Sequence, residues 1–233
     1  TPEVSAGEGL DLQKLYDSVY REQADAFYTK EDGVTPHVVG RDFDLEAAQK
    51  LWDAAAPGET VVIPLVLTEP EITGEYLEEK LFADELGART TGLSNSSKNR
   101  INNLKLACAA IDGLVLMPGE SFSYNETLGE RTKENGWKPA ASYVGGETVD
   151  TYGGGICQAS SSLYYCALQA DLEIVTRTNH SFLNTYVPFG MDATVNWGTL
   201  DFQFKNNSNY PIKIEAYSNG GDVTVRILGT DYK

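Results

Sequence analysis

Three residue types in one stretch of the chain have the chemistry of nucleophilic acyl transfer: a cysteine, Cys157, a histidine 23 positions later, His180, and an aspartate 12 positions beyond that, Asp192. Cys157 ends the run Gly153-Gly154-Gly155-Ile156-Cys157 and is followed by Gln158. Beyond it Ala159, Leu163, Cys166, Ala167 and Ala170 recur at spacings of three and four, which predicts an amphipathic helix over 156–170. A thiol at a helix start meets partial positive charge and unpaired N–H groups, both of which favour thiolate. The glycines allow a tight turn and a close approach by a substrate chain. Backbone N–H groups of Gly155, Ile156 and Cys157 are then the expected donors to a developing oxyanion, and Gln158 could add a side-chain donor. The competing reading of the same residues is a glycine turn before a helix, with Cys157 a small buried hydrophobe.

A thiolate nucleophile needs a base to take and return a proton. The chain has two histidines, and His37, in Val34-Thr35-Pro36-His37, reads as structural. His180 follows Glu173-Ile174-Val175-Thr176-Arg177, which reads as a strand. A helix, a turn and a strand fit between Cys157 and His180. Asp192, expected on a neighbouring strand, would orient the imidazole. For His180 and Asp192 the plainer alternatives are a strand-end histidine and a turn-capping carboxylate. Arg177 is either a clamp for a substrate carboxylate or an ordinary surface charge. Ser160 to Ser162 are groove contacts or the solvated side of the helix, and Trp137, Tyr143 and Tyr186 line a cleft or a core. Cys108 shares a helical face with Ile101, Leu104 and Ile111, and Cys166 lies half a turn of the helical wheel from Cys157, so both read as core thiols and no bond joins Cys157 to Cys166.

Beyond these residues the segment from about Arg100 to Gly229 resembles the VanW family of bacterial cell-envelope proteins. The resemblance is carried by Pro118-Gly119-Glu120-Ser121-Phe122-Ser123-Tyr124-Asn125, by Gly153 to Gln158 continuing through Ser160-Ser161-Ser162-Leu163-Tyr164, by Arg177 with His180, and by Gly190-Met191-Asp192-Ala193-Thr194-Val195. More loosely, Leu10 to Thr73 is similar to the peptidoglycan-binding module that often precedes such domains. Some clostridial members of the family are understood to be L,D-transpeptidases with the motif cysteine as nucleophile. The resemblance therefore implies that Cys157, His180 and Asp192 act on peptidoglycan stem peptides, with glycan as a further partner. A non-catalytic wall-binding protein and a cysteine amidase or L,D-carboxypeptidase are the alternatives.

Composition fits that setting. A net charge of −16 argues against nucleic acid, which needs clustered Lys and Arg. Two distant histidines and no Cys-x-x-Cys pair offer no metal-ligand spacing, and no cofactor is expected. The chain shows no signal peptide, transmembrane run or initiating methionine, so it reads as an extracellular or cell-wall portion whose membrane anchor lies outside this sequence. Residues 1–90 carry 20 acids against 7 bases and residues 91–233 carry 14 against 11, placing a boundary near 75–95. The expected fold class is α+β in two domains. Residues 1–74 form a small mixed α/β module in α-β-β-α-β order, 75–97 a charged connector, and 98–233 a larger domain. In the larger domain the Cys-bearing helix and a helix over 98–112 accompany an antiparallel meander of 202–204, 212–216 and 223–227, with one face buried.

Overall fold

The computed structural model describes residues 3–5, 11–144 and 146–230. Leu10, the first residue of the segment that resembles a peptidoglycan-binding module, lies outside them. The fold is α+β, with antiparallel ladders throughout. The chain divides into two compact units, residues 1–79 and 80–233. Among the described residues no helix is long and apolar enough to cross a membrane.

The first unit runs β1 (Glu3–Ser5), α1 (Leu12–Val19), β2 (Tyr28–Thr29), β3 (Gly33–Val34), β4 (Gly40–Asp42), α2 (Leu45–Ala54), β5 (Thr60–Val62), β6 (Val66–Thr68) and α3 (Gly74–Lys80). Side-chain caps start two of these helices: the Asp11 carboxylate accepts from the N–H of Gln13 and Lys14, and Asp44 from Ala47. Leu12, Phe43, Ala48, Val61 and Ile63 form a small core. Residues 60–68 hold two strands that pair with different partners, β5 with β1 and β6 with β4, and Pro64 between them has no N–H for a ladder. On α2, Ala48 and Trp52 turn to the core while Ala47 and Leu51 face water.

The second unit continues with β7 (Asp84–Gly92), α4 (Lys98–Ile111), β8 (Val115–Leu116), β9 (Ser121–Ser123), α5 (Tyr124–Leu128), β10 (Pro139–Val144), β11 (Glu147–Tyr152), α6 (Cys157–Gln169), β12 (Glu173–Thr176), β13 (Gln203–Lys205), β14 (Ile212–Ser218) and β15 (Asp222–Gly229). The main sheet has the order β7-β15-β14-β8, a second sheet the order β12-β13-β9, and β10 and β11 form a hairpin. Two expectations change here. Residues 84–92, assigned to a connector, are an edge strand paired along the whole of β15. Residues 203–205 leave the expected meander and pair with β9 and β12 instead.

The alternation of buried and half-buried residues along β14 gives the main sheet a core face, on which α4 and α6 pack. A Cβ on Gly87 would meet the Cys166 carbonyl oxygen at 2.5 Å, so α6 lies directly against β7. Cys108 and Cys166 are buried in this core and no disulfide forms. Trp137 is also core. What the core fixes for function is the start of α6, close beside the hairpin's second strand.

Candidate active site

The turn ahead of α6 needs all three of its glycines for separate reasons. Gly153 and Gly155 have φ of +78° and +100°, where side chains carry strain. Gly154 has ordinary φ, but a Cβ there would run into the Ala140 carbonyl oxygen on β10. The buried Asn103 of α4 pins the turn, donating from Nδ2 to the Gly154 oxygen at 3.1 Å and to the Lys138 oxygen at 2.8 Å, and accepting from the Lys138 N–H at 2.9 Å. The helix then starts at Cys157 with no side-chain cap. The Ile156 N–H is taken by the Gly153 oxygen at 3.3 Å, so it is not the free donor expected, whereas the N–H groups of Gly155 and Cys157 meet no acceptor among the described residues.

His180 and Asp192 do not sit on successive strands. After β12 the chain runs through an extended loop to β13, with a lone bridge between Asn196 and Leu200. Side chains from α6 and Arg177 hold this loop. Ser161, fully buried, accepts from the Ala193 N–H at 3.0 Å and donates to the Ala193 oxygen at 3.3 Å, and Ser160 donates to the same oxygen at 2.7 Å. Ser162 bonds back to the Gln158 oxygen at 2.8 Å. None of the three serines faces a groove or solvent. Arg177 donates from Nε to the Asp192 oxygen at 2.7 Å and from Nη2 to Gly190 O at 2.9 Å and Asp192 Oδ1 at 3.2 Å. Its guanidinium lies over the Tyr164 ring, with Nε and Nη2 holding the loop. Gln158 is likewise buried and fully used, donating to Thr91 Oγ1 and the Gly92 oxygen and accepting from Arg100.

With the loop so held, Asp192 Oδ2 accepts from both the main-chain N–H of His180 at 2.7 Å and ring Nδ1 at 2.6 Å. That orients the imidazole with Nε2 on the far side, 3.5 Å from the Tyr186 hydroxyl. Cys157 Sγ lies 3.8 Å from Thr194 Oγ1 and 3.6 Å from the Val195 oxygen. Burial opposes the Cys157 thiolate, but hydrogen bonding to His180, the Val195 main chain, the imidazolium charge and the Thr194 hydroxyl outweigh it, so the pKa falls below the ordinary thiol value. For His180 burial favours the neutral ring, and Cys157 and Asp192 together reverse this and raise its pKa. Asp192 follows the same logic in mirror image. Burial would raise it, while both His180 bonds and Arg177 hold its carboxyl below the usual range. Cys108 and Cys166, buried without such partners, are pushed up to about 12.

The relay opens onto a cleft of about 900 Å³, with Tyr143, Tyr152, Tyr186 and Trp197 among its walls. Phe182 meets His180 edge-on at 5.1 Å and packs on Tyr143 at 4.1 Å. The sequence reading brought Cys157, His180 and Asp192 forward, and the fold brings them together. It passed over Arg100, Asn103 and Thr194. Thr194 lay inside a quoted motif with nothing to show that its hydroxyl faces sulfur. Arg100 and Asn103 did leave a signal, being spaced at i, i+3 and i+7 with buried Ala107, so polar groups were assigned to the inward face of α4. His37 lies in the first unit, where its Nδ1 accepts from the Gly74 N–H at 3.1 Å.

A family model described as VanW like protein matches residues 99–228. The chain is similar to the uncharacterized protein YoaR of Bacillus subtilis, with 35% identity over 223 residues, 94% of this chain and 73% of that protein. It is also similar to the vancomycin B-type resistance protein VanW of Enterococcus faecalis, with 30% identity over 122 residues, half of this chain and 44% of that protein. No solved structure matches the chain.

Proposed function

The chain belongs to the VanW family, and we propose that it is a cysteine acyltransferase of the cell envelope, an L,D-transpeptidase that forms 3-3 cross-links between peptidoglycan stem peptides. The observation that carries this reading is the Cys157–His180–Asp192 relay, with the thiol pKa lowered and the imidazole pKa raised, at the wall of a cleft large enough for a peptide. Both shifts move the pair toward thiolate and imidazolium, which favours an attacking nucleophile and a proton for the leaving group together.

Cys157 Sγ attacks the carbonyl of the third stem residue, the L-centre of a diamino acid. The carbonyl oxygen becomes an oxyanion facing the open N–H groups of Gly155 and Cys157. The tetrahedral intermediate then collapses, the peptide bond breaks, and the His180 imidazolium gives its proton to the departing amine of D-alanine. A thioester remains, and His180 is now a neutral base. The side-chain amine of a second stem attacks the thioester, passes a proton to His180 and expels the thiolate, which leaves the cross-link and restores the ion pair. Water in place of the amine gives L,D-carboxypeptidase activity. Asp192 holds the ring in one tautomer throughout, Arg177 holds Asp192, and Ser161 holds the main chain of the next residue, Ala193.

Incubation with disaccharide tetrapeptide tests this reading. Intact-mass analysis should show an adduct equal to the donor minus D-alanine, absent in Cys157→Ala, followed by dimer formation. A protein that binds the stem with no adduct is the non-catalytic alternative, and product without dimer is the hydrolase. For residues 1–79 we propose wall binding, on resemblance alone; pelleting with purified sacculi is the assay.

A further inference from the structure

We infer that a side chamber next to the cleft, built around Arg100, is the subsite for the carboxylate of the stem peptide, and that Arg100 restricts the donor to stems whose chain ends one residue past the scissile bond. This rests on the reading above and names what that site selects. The chamber holds about 610 Å³ and opens beside the cleft, the two sharing Arg100, Ala141, Thr185 and Tyr186 as lining. Its charged lining is two arginines, Arg89 and Arg100, with no Asp, Glu or Lys, and most of the remainder is hydroxyl or amide, including Thr91, Ser94 and Ser97. In a chain of net charge −16 this is a concentration of positive charge where a substrate enters.

Arg100 is fixed before any ligand arrives. Its Nη2 donates to Gln158 Oε1 at 2.7 Å, and the Gln158 amide is in turn tied to Thr91 and Gly92 on β7. The guanidinium lies against the glycine turn, where a Cβ on Gly155 would meet Nη1 at 2.6 Å. No carboxylate pairs with Arg100 among the described residues, and its Nε and Nη1 have no protein acceptor there, nor are they sealed from solvent. A charged donor held in place with unused N–H groups is suited to a carboxylate. Gly155 is two residues before Cys157, and the terminal carboxylate of a tetrapeptide stem is one residue beyond the attacked carbonyl, a step of about 3.8 Å. One further residue would move the carboxylate another such step from the attacked carbonyl.

The test is calorimetric titration of the Cys157→Ala protein with a lysine-type tetrapeptide stem. The second residue's carboxylate is amidated, so the only carboxylate is the C-terminus. We expect the free acid to bind roughly ten- to hundredfold more tightly than the C-terminal amide, the range for a hydrogen bond to a charged group. Arg100→Gln should erase the difference, and Arg100→Lys should keep part of it. A stem with a diaminopimelate side-chain carboxylate and an amidated C-terminus separates the two carboxylate sources; tight binding of that stem would move the subsite's ligand to the side chain and overturn the length restriction. Equal binding of acid and amide, or equal losses for both in Arg100→Gln, would overturn the subsite while leaving the acyltransferase intact. Failure of every stem to bind would overturn both.

Discussion

Two adjacent serines, both fully buried on α6, should respond very differently to removal of their hydroxyls. In Ser161→Ala the Ala193 N–H loses its acceptor at 3.0 Å in a place water does not reach, whereas the Ala193 oxygen keeps the Ser160 hydroxyl at 2.7 Å. The expected cost is that of one orphaned buried donor, about 1–3 kcal/mol. For a unit of this size the melting temperature should then fall by roughly 2–12 °C. In Ser162→Ala the hydroxyl leaves only the Gln158 oxygen, which lies in the same helix and retains a main-chain donor, so the cost should stay below about 1 kcal/mol. The functional consequence follows from Ala193 sitting between Asp192, which orients His180, and Thr194, which touches the sulfur. Thermal unfolding with iodoacetamide labelling of Cys157 at neutral pH reads both effects: Ser161→Ala should lower Tm and slow labelling, and Ser162→Ala should do neither. Equal shifts in the two variants, or full labelling rates in a destabilised Ser161→Ala, would refute the role given to this clamp.

Replacing Asp192 by Asn removes the carboxylate charge and lets an amide N–H face the ring, favouring the wrong imidazole tautomer, and should cut turnover by up to about four orders of magnitude with KM little changed. The same carboxyl titrates below 3.8 in the folded chain, so its stabilisation is present above that value and is lost as pH falls through the lower folded one. Urea titrations of wild type and Asp192→Asn should converge in strong acid, differ most near about pH 5, and draw closer again as pH rises through the raised His180 pKa, where the histidine's charge is lost. Gly154→Ala forces a Cβ against the Ala140 oxygen and should destabilise by more than about 2 kcal/mol. Gly92→Ala, whose Cβ would find ordinary contacts at 3.7 Å and beyond, should cost under about 1 kcal/mol by the same measurement.

The parts of the site that were readable from sequence are those whose chemistry is local. A glycine run before a 3.6-residue apolar period located Cys157 at a helix start, and the shortage of histidine left His180 as the candidate base. The strand pattern of 212–216 and 223–227 was legible for the same reason. What failed depended on long-range pairing. The strand at 84–92 carries charge and glycine and owes its state to β15, 130 or more residues away. Asp192 reached His180 from a loop because buried serines and Arg177 supply the hydrogen bonds a ladder would have given, and no sequence period reports side chains bonding to a distant main chain. Arg177 and Gln158 were assigned outward roles on residue type alone, and the fold uses their polar atoms internally.

The most direct test of the account is the pH profile of thiol alkylation, read residue by residue after digestion. The relay predicts that Cys157 labels rapidly well below the ordinary thiol pKa of about 8.5, that His180→Ala moves its midpoint upward, and that Cys108 and Cys166 stay unlabelled in the folded protein. A Cys157 midpoint at or above the ordinary value, unchanged by His180→Ala, would contradict it.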